Sequence, residues 1–236
     1  MKYFLLLLAL TACFTGIAQV DTNDLKRLYD RSLDFSEDKI DSIAYYADVI
    51  ARESERLKFN KGDVLSLRLK GIYEDLGNNY KKAIEYYLQS LDAAYILGED
   101  VYIMSALSDL AIVYSAIKEP VKAKEYYLEC LKISQARQKD VFSLVNTYNN
   151  LAVIYTQLKQ YDSAFTLLQE AIRLGTPHAD ILDMGSVYNN MGNLYFKQQR
   201  YNEALKYFRR NYQQYKTEND IAGQWVAVLN LADVFT

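Results

Sequence analysis

Asparagine recurs at a fixed interval in the second half of the chain. Asn150, Asn190 and Asn230 are separated by 40 and 40 residues, and Asp109 holds the equivalent place one interval earlier. Asn149, Asn189 and Asn193 lie beside them. A side-chain amide carries one carbonyl acceptor and two N–H donors. A row of such amides can pair with the main chain of an extended peptide, which offers the same two kinds of group. The other use is internal, with the amides bridging adjacent helices of the protein itself. Both uses are hydrogen bonding alone, with no bond made or broken.

Nothing else in the chain reads as a reaction centre. His178 is the single histidine and sits in a loop, Thr176-Pro177-His178. It has no cysteine or second histidine at ligand spacing, so neither a metal site nor a nucleophile–base pair is expected. No Gly-rich phosphate loop is present. The chain is therefore expected not to be an enzyme and to need no cofactor. The two cysteines are Cys13 and Cys130. With Cys13 in a leader segment, Cys130 has no partner for an internal disulfide. The formal net charge is −3, and no block of like-charged Lys/Arg occurs. A nucleic-acid partner and a polybasic membrane arm are both excluded as expectations. The pairs Tyr45-Tyr46, Tyr86-Tyr87 and Tyr126-Tyr127 fall at packing positions and read as core rather than as a platform for bases.

The elements that would position the asparagines are helices. Nine glycines and two prolines in 236 residues are about 5% of the chain, against roughly 12% on average, which leaves too few breakers for a sandwich or barrel. A Leu/Met anchor recurs at Leu69, Leu110, Leu151, Met191 and Leu231, with an aromatic four residues later at Tyr73, Tyr114, Tyr155, Tyr195 and Phe235. A small residue follows at Ala83, Ala123, Ala164 and Ala204, where two helices must cross closely. Each interval is 40 or 41 residues, the signature of a repeat architecture. Leu107, Leu110, Ala111 and Tyr114 form one face of a first helix, and Ala83, Tyr86, Tyr87, Ser90 and Leu91 one face of a second. Turns are expected near 77–80, 118–120, 159–160 and 199–200. Asp100, Asp140, Asp180 and Asp220 read as N-caps of the first helices.

These residues resemble the tetratricopeptide repeat (TPR) family. Tyr188, Met191-Gly192, Tyr195, Tyr201, Ala204 and Phe208 carry the pattern best, followed by Tyr148, Leu151-Ala152, Tyr155, Tyr161, Ala164 and Ala171. Pro120 and Leu168 depart from it. The resemblance implies an all-α solenoid of stacked antiparallel helix pairs in a right-handed superhelix, here as a 40-residue variant. Its units would be a divergent first repeat at 24–62, then repeats at 63–100, 101–140, 141–180 and 181–220, and a lone first helix at 221–236. It also implies a protein or peptide ligand on the concave face lined by the first helices, where Asp109, Asn149, Asn150, Asn189, Asn190, Asn193 and Asn230 would sit. The Lys/Asn/Arg set with which some relatives clamp a terminal carboxylate is absent, its slots holding Ser105, Ser108, Asn146 and Asn149.

The two ends carry their own expectations. Lys2, the apolar stretch after it and Gly16-Ile17-Ala18 before Gln19 read as a signal peptide at 1–18. Leu10-Thr11-Ala12-Cys13 offers the alternative of a lipoprotein signal at 1–12. Either places the remainder outside the cytoplasm, touching a membrane only through a lipid anchor or a missing C-terminal span. At the other end, Trp225, Val228, Leu231, Ala232 and Phe235 form an apolar stripe with no second helix after it. The expectation is a fragment of a longer protein, or self-association through 221–236. The functional expectation is an exported scaffold. Its alternative is the sensory N-terminal part of a membrane-bound histidine kinase or helix-turn-helix regulator.

Overall fold

The computed structural model describes residues 21–33, 40–136, 140–179 and 181–235. Every regular element among them is helical. They fall into two compact units, one up to Glu99 and one from Asp100 onward. The proposed leader, with Cys13, lies outside the described residues.

The first unit holds α1 (Thr22–Ser32), α2 (Ile40–Leu57), α3 (Gly62–Leu76) and α4 (Tyr80–Leu97). Asp21 opens α1 with a capping box: its carboxylate accepts from the Asn23 and Asp24 amides, and the Asp24 carboxylate accepts from the Asp21 amide. This satisfies amides that a helix start leaves without partners. Leu25 and Tyr29 are buried, and α1 packs against α2. In the α3–α4 pair, the Tyr87 ring lies over Gly71. A Cβ there would stand 2.4 Å from the ring, so the crossing tolerates no side chain.

The second unit holds α5 (Asp100–Ala116), α6 (Pro120–Ala136), α7 (Val141–Gln157), α8 (Tyr161–Gly175), a 3-10 turn at Thr176–His178, α9 (Met184–Lys197), α10 (Tyr201–Thr217) and α11 (Ile221–Asp233). Ala123, Ala164 and Ala204 are fully buried, as are Leu110, Leu151 and Met191 on the facing first helices. Phe208 caps Gly192 as Tyr87 caps Gly71. Full burial of one such large side chain is worth about 1.5–3 kcal/mol.

The four pairs α3–α4, α5–α6, α7–α8 and α9–α10 are closed by the same turn. Asn78, Lys118, Lys159 and Gln199 have φ of 58°, 63°, 58° and 61°, the left-handed region. The next amide then reaches back to the carbonyl five residues earlier: Asn79 to Glu74 (2.8 Å), Glu119 to Tyr114 (2.8 Å), Gln160 to Tyr155 (2.8 Å) and Arg200 to Tyr195 (2.9 Å). This pattern satisfies carbonyls that the helix end leaves open. The turns fall at the expected positions.

Three sequence expectations need correction. Asp140 and Asp220 do cap, accepting from the Ser143 and Gly223 amides at 3.0 Å. For α9 the cap is Asp183, accepting from Ser186 at 3.1 Å, because the 3-10 turn at Thr176–His178 delays the helix start to Met184. Asp180 lies outside the described residues. Asp100 is inside the first turn of α5, where its charge favours the helix dipole. His178 is the last residue of the 3-10 turn and not part of an irregular loop. The tyrosine pairs divide: Tyr87 and Tyr127 are buried, Tyr86 and Tyr126 only half-buried, and Tyr45 exposed. Consecutive residues point about 100° apart on a helix, so one pair cannot wholly face one partner.

A recurrent bond has no signature in the repeat pattern. Ser90 Oγ donates to Val64 O (3.0 Å), the Cys130 thiol to Met104 O (3.6 Å) and Asn211 Nδ2 to Gly185 O (2.7 Å). Each donor is on a second helix and each acceptor near the start of its first helix. The fourth equivalent, Ala171, makes the crossing by packing alone.

Candidate functional site

The first helices of the second unit, α5, α7, α9 and α11, are joined in series by side chains. Ser115 Oγ and the Gln157 amide exchange hydrogen bonds at 2.9–3.0 Å between α5 and α7. Asn190 Nδ2 donates to Asn149 Oδ1 at 2.9 Å between α7 and α9. Asn230 Nδ2 donates to Asn189 Oδ1 at 2.6 Å between α9 and α11. The asparagines therefore pair diagonally. The second of each couple reaches back to the first of the couple before it, across 41 residues in both cases.

This places the seven candidate residues in three groups. Asn149, Asn190, Asn189 and Asn230 are helix bridges, and Asn149 is buried. Each bridge occupies one acceptor and one donor, so both amides of a pair retain further hydrogen-bonding capacity. Asn150 and Asn193 are half-buried and make no side-chain hydrogen bond among the described residues. Asp109 is half-buried and already engaged. Its negative charge adds to the burial that pushes both the Tyr127 phenol and the Cys130 thiol up. The ladder has two rungs. Ser108 stands where Asn149 and Asn189 stand in the later repeats, and faces the Cys130 thiol at 3.6 Å; the next equivalent is Leu229.

Charge is sparse on these helices. α5, α7, α9 and α11 carry Asp100, Asp109, Asp233 and a single cation, Lys197. Salt-bridged and free cations lie mainly on the second helices. Cys130 is buried, and burial raises its thiol to about 11, which leaves almost no reactive thiolate at neutral pH. Ser134 Oγ links α6 to α7 through Ser143 Oγ (2.9 Å) and Thr147 Oγ1 (3.2 Å). This polar cluster had no signature in the repeat pattern. His178 is exposed. Among the described residues no group of three or more His, Cys, Asp or Glu could hold a metal, and no helix is long and apolar enough to cross a membrane.

Two family models, both described as tetratricopeptide repeat, match the chain, one at residues 63–136 and 102–176 and the other at 186–213. Together these matches cover more than half of the sequence. No curated protein sequence matches it. Among solved structures, a Rap protein complexed with competence and sporulation factor shares 19% identity at a TM-score of 0.71, over 92% of this chain and 61% of that one. NprR in complex with its cognate peptide NprX shares 19% at 0.66, over 99% and 66%. A signal transduction ATPase from Pyrococcus horikoshii with a tetratricopeptide repeat sensor shares 19% at 0.64, over 89% and 35%. This chain thus spans less than two thirds of the length of each of these three. At such identities the likeness is one of fold.

Proposed function

Because the chain belongs to the tetratricopeptide repeat family, we propose that it is a non-catalytic scaffold. Its ligand would be a peptide or an extended protein segment, bound on the face formed by α5, α7, α9 and α11. The observation that carries this reading is the half-exposed amide set on that face. Asn150 and Asn193 have unengaged side chains beside two amide bridges that keep spare donors and acceptors. Groups already held in place by a helix cost little further entropy when they bind. The Rap and NprR structures contain bound factor and peptide, which supports a ligand of this class.

The test is selection of binders from a displayed library of linear peptides, followed by titration against variants. Asn150→Ala and Asn193→Ala should each weaken a selected peptide by roughly tenfold, the cost of one or two hydrogen bonds. Lys122→Ala, on a second helix, should not. Selected peptides indifferent to both asparagines would refute the site.

Location outside the cytoplasm remains part of this proposal and rests on the leader sequence. N-terminal sequencing of the mature protein should begin at Gln19, or at a lipid-modified Cys13 on the alternative. A second reading is the sensory portion of a larger signalling protein, supported by the repeat sensor in the archaeal ATPase. The genomic sequence beyond Thr236 decides it: an apolar span of about 20 residues and kinase or helix-turn-helix motifs would establish that reading.

A further inference from the structure

A second surface of the unit has ligand chemistry of a different kind. A cleft of about 510 Å³ lies between α8 and α10, with Tyr188 of α9 and Ile172 of α8 among its lining residues. Its polar lining includes Arg209, Arg210, Gln213 and Thr217. No carboxylate lines it. The carboxylates nearest in sequence are occupied: Glu170 is held by Arg173 at 2.7 Å, and Glu218 accepts from Gln214 at 2.6 Å. Arg209 and Arg210 have no acidic residue three or four positions away on α10, and neither makes an ion pair among the described residues. The Arg210 guanidinium lies over the Tyr188 and Tyr207 rings, 5.8 and 5.7 Å from their centroids. Arg210 makes no side-chain hydrogen bond among the described residues, so its guanidinium N–H groups keep their capacity to donate.

The repeat supplies its own control. What a second helix needs for packing recurs, as Ala204 and Phe208 recur from Ala164 and Leu168 or Ala123 and Tyr127. The places of Arg209 and Arg210 do not recur as cations. They are Gln169 and Glu170 in α8, Leu128 and Glu129 in α6, and Leu88 and Gln89 in α4. The scaffold therefore has no requirement for two adjacent arginines there.

The geometry points to this cleft as a binding site, separate from the asparagine face, for an acidic protein segment that presents carboxylates beside an aromatic or aliphatic side chain. The forked guanidinium groups take the carboxylates in paired hydrogen bonds, and the Tyr188–Ile172 surface takes the apolar neighbour. With a net charge of −3 over the whole chain, attraction of anions is local to this cleft, which suits a short acidic segment better than a long phosphate backbone.

The experiment is fluorescence anisotropy on the full chain with the labelled peptide acetyl-Glu-Phe-Glu-Phe-amide. Arg209→Gln combined with Arg210→Gln should weaken binding about tenfold or more, as loss of charged hydrogen bonds does. Tyr188→Leu should weaken it less, and Asn150→Ala and Lys122→Gln should leave it unchanged. Circular dichroism of each variant separates loss of the site from loss of the fold. Four results overturn the inference. They are no binding up to about 1 mM; full affinity in the double arginine variant; equal affinity for acetyl-Lys-Phe-Lys-Phe-amide; or tighter, arginine-dependent binding of a short oligothymidylate. A response to Asn150→Ala without one to the arginines would move the peptide to the asparagine face, refuting the cleft and leaving the proposed function standing.

Discussion

Helices α9 and α11 occupy the same place in successive repeats and have opposite surroundings. In α9, Met191, Leu194 and Gly192 are buried beneath α10, with Phe208 seated on Gly192, and Tyr195 is 8% exposed. Just past the end of α11, the residue equivalent to Tyr195 is Phe235, at 75%, and within the helix Trp225 is 65% exposed. Only Ala227 of α11 is buried, on the side toward the rest of the unit. The sequence pattern of the two helices is nearly the same. Among the described residues α9 is packed against the second helix of its own repeat, α10, and burial in such an array belongs to the pair and not to the single helix.

The largest expected effect follows from that contrast. Phe208→Ala should cost about 3–5 kcal/mol, the usual cost of emptying an aromatic site in a core. Phe235→Ala should change thermal stability by less than about 0.5 kcal/mol, as exposed positions do. Equal losses would show that α11 is covered in solution. Sedimentation equilibrium at several concentrations then identifies whether a second copy, through 221–236, provides the cover.

Next come the close crossings. Gly192→Leu forces a side chain where a Cβ would already stand 2.5 Å from the Phe208 ring. Together with Ala123→Leu and Ala164→Leu, it should destabilise by about 1–3 kcal/mol through overpacking. Ala232→Leu, at the equivalent exposed place in α11, should be close to neutral. A neutral Gly192→Leu would mean that the pair can open without loss.

Smaller effects are expected from the amide bridges. Asn149→Ala removes the buried acceptor of Asn190, and Asn189→Ala the half-buried acceptor of Asn230. Each should cost about 0.5–1.5 kcal/mol, measured by urea denaturation. The Asn149 change should cost more, because both helices it joins are covered. Reversal of that order would sink the idea that cover stiffens the bridge.

The last effect is a pH dependence. Tyr215 of α10 lies against Gly185 of α9 and Gly223 of α11. Burial first, then the charges of Asp183, Asp220 and Glu218, raise its phenol to about 12, with a hydrogen bond to Asn211 opposing. The neutral phenol is favoured by the fold, so this stabilisation is intact below about pH 10 and is lost as pH rises from there toward 12. Tyr215→Phe should flatten alkaline melting over that window. An unchanged profile would place the alkaline sensitivity in other buried groups such as Cys130.

Much of this molecule was legible in its residues. The 40-residue recurrence of Ala123, Ala164 and Ala204, with Leu110, Leu151 and Met191, specifies paired helices because apolar periodicity and a small residue at a crossing are local requirements of that packing. The turns could be placed because each falls between two such faces, while their left-handed residues emerged only in the structure. The asparagine recurrence was equally visible, yet its meaning was not. A side-chain amide serves a ligand or a neighbouring helix with the same atoms. Only the distance between helices decided that Asn149 meets Asn190, that Asn189 meets Asn230, and that Asn150 and Asn193 meet neither. Tertiary structure likewise decided how far each tyrosine of a pair is buried, that Asp183 caps α9, and that Arg209 and Arg210 border a cleft. These outcomes depend on the direction of a side chain and on what stands opposite it. Sequence spacing along one helix gives the first only approximately and the second not at all.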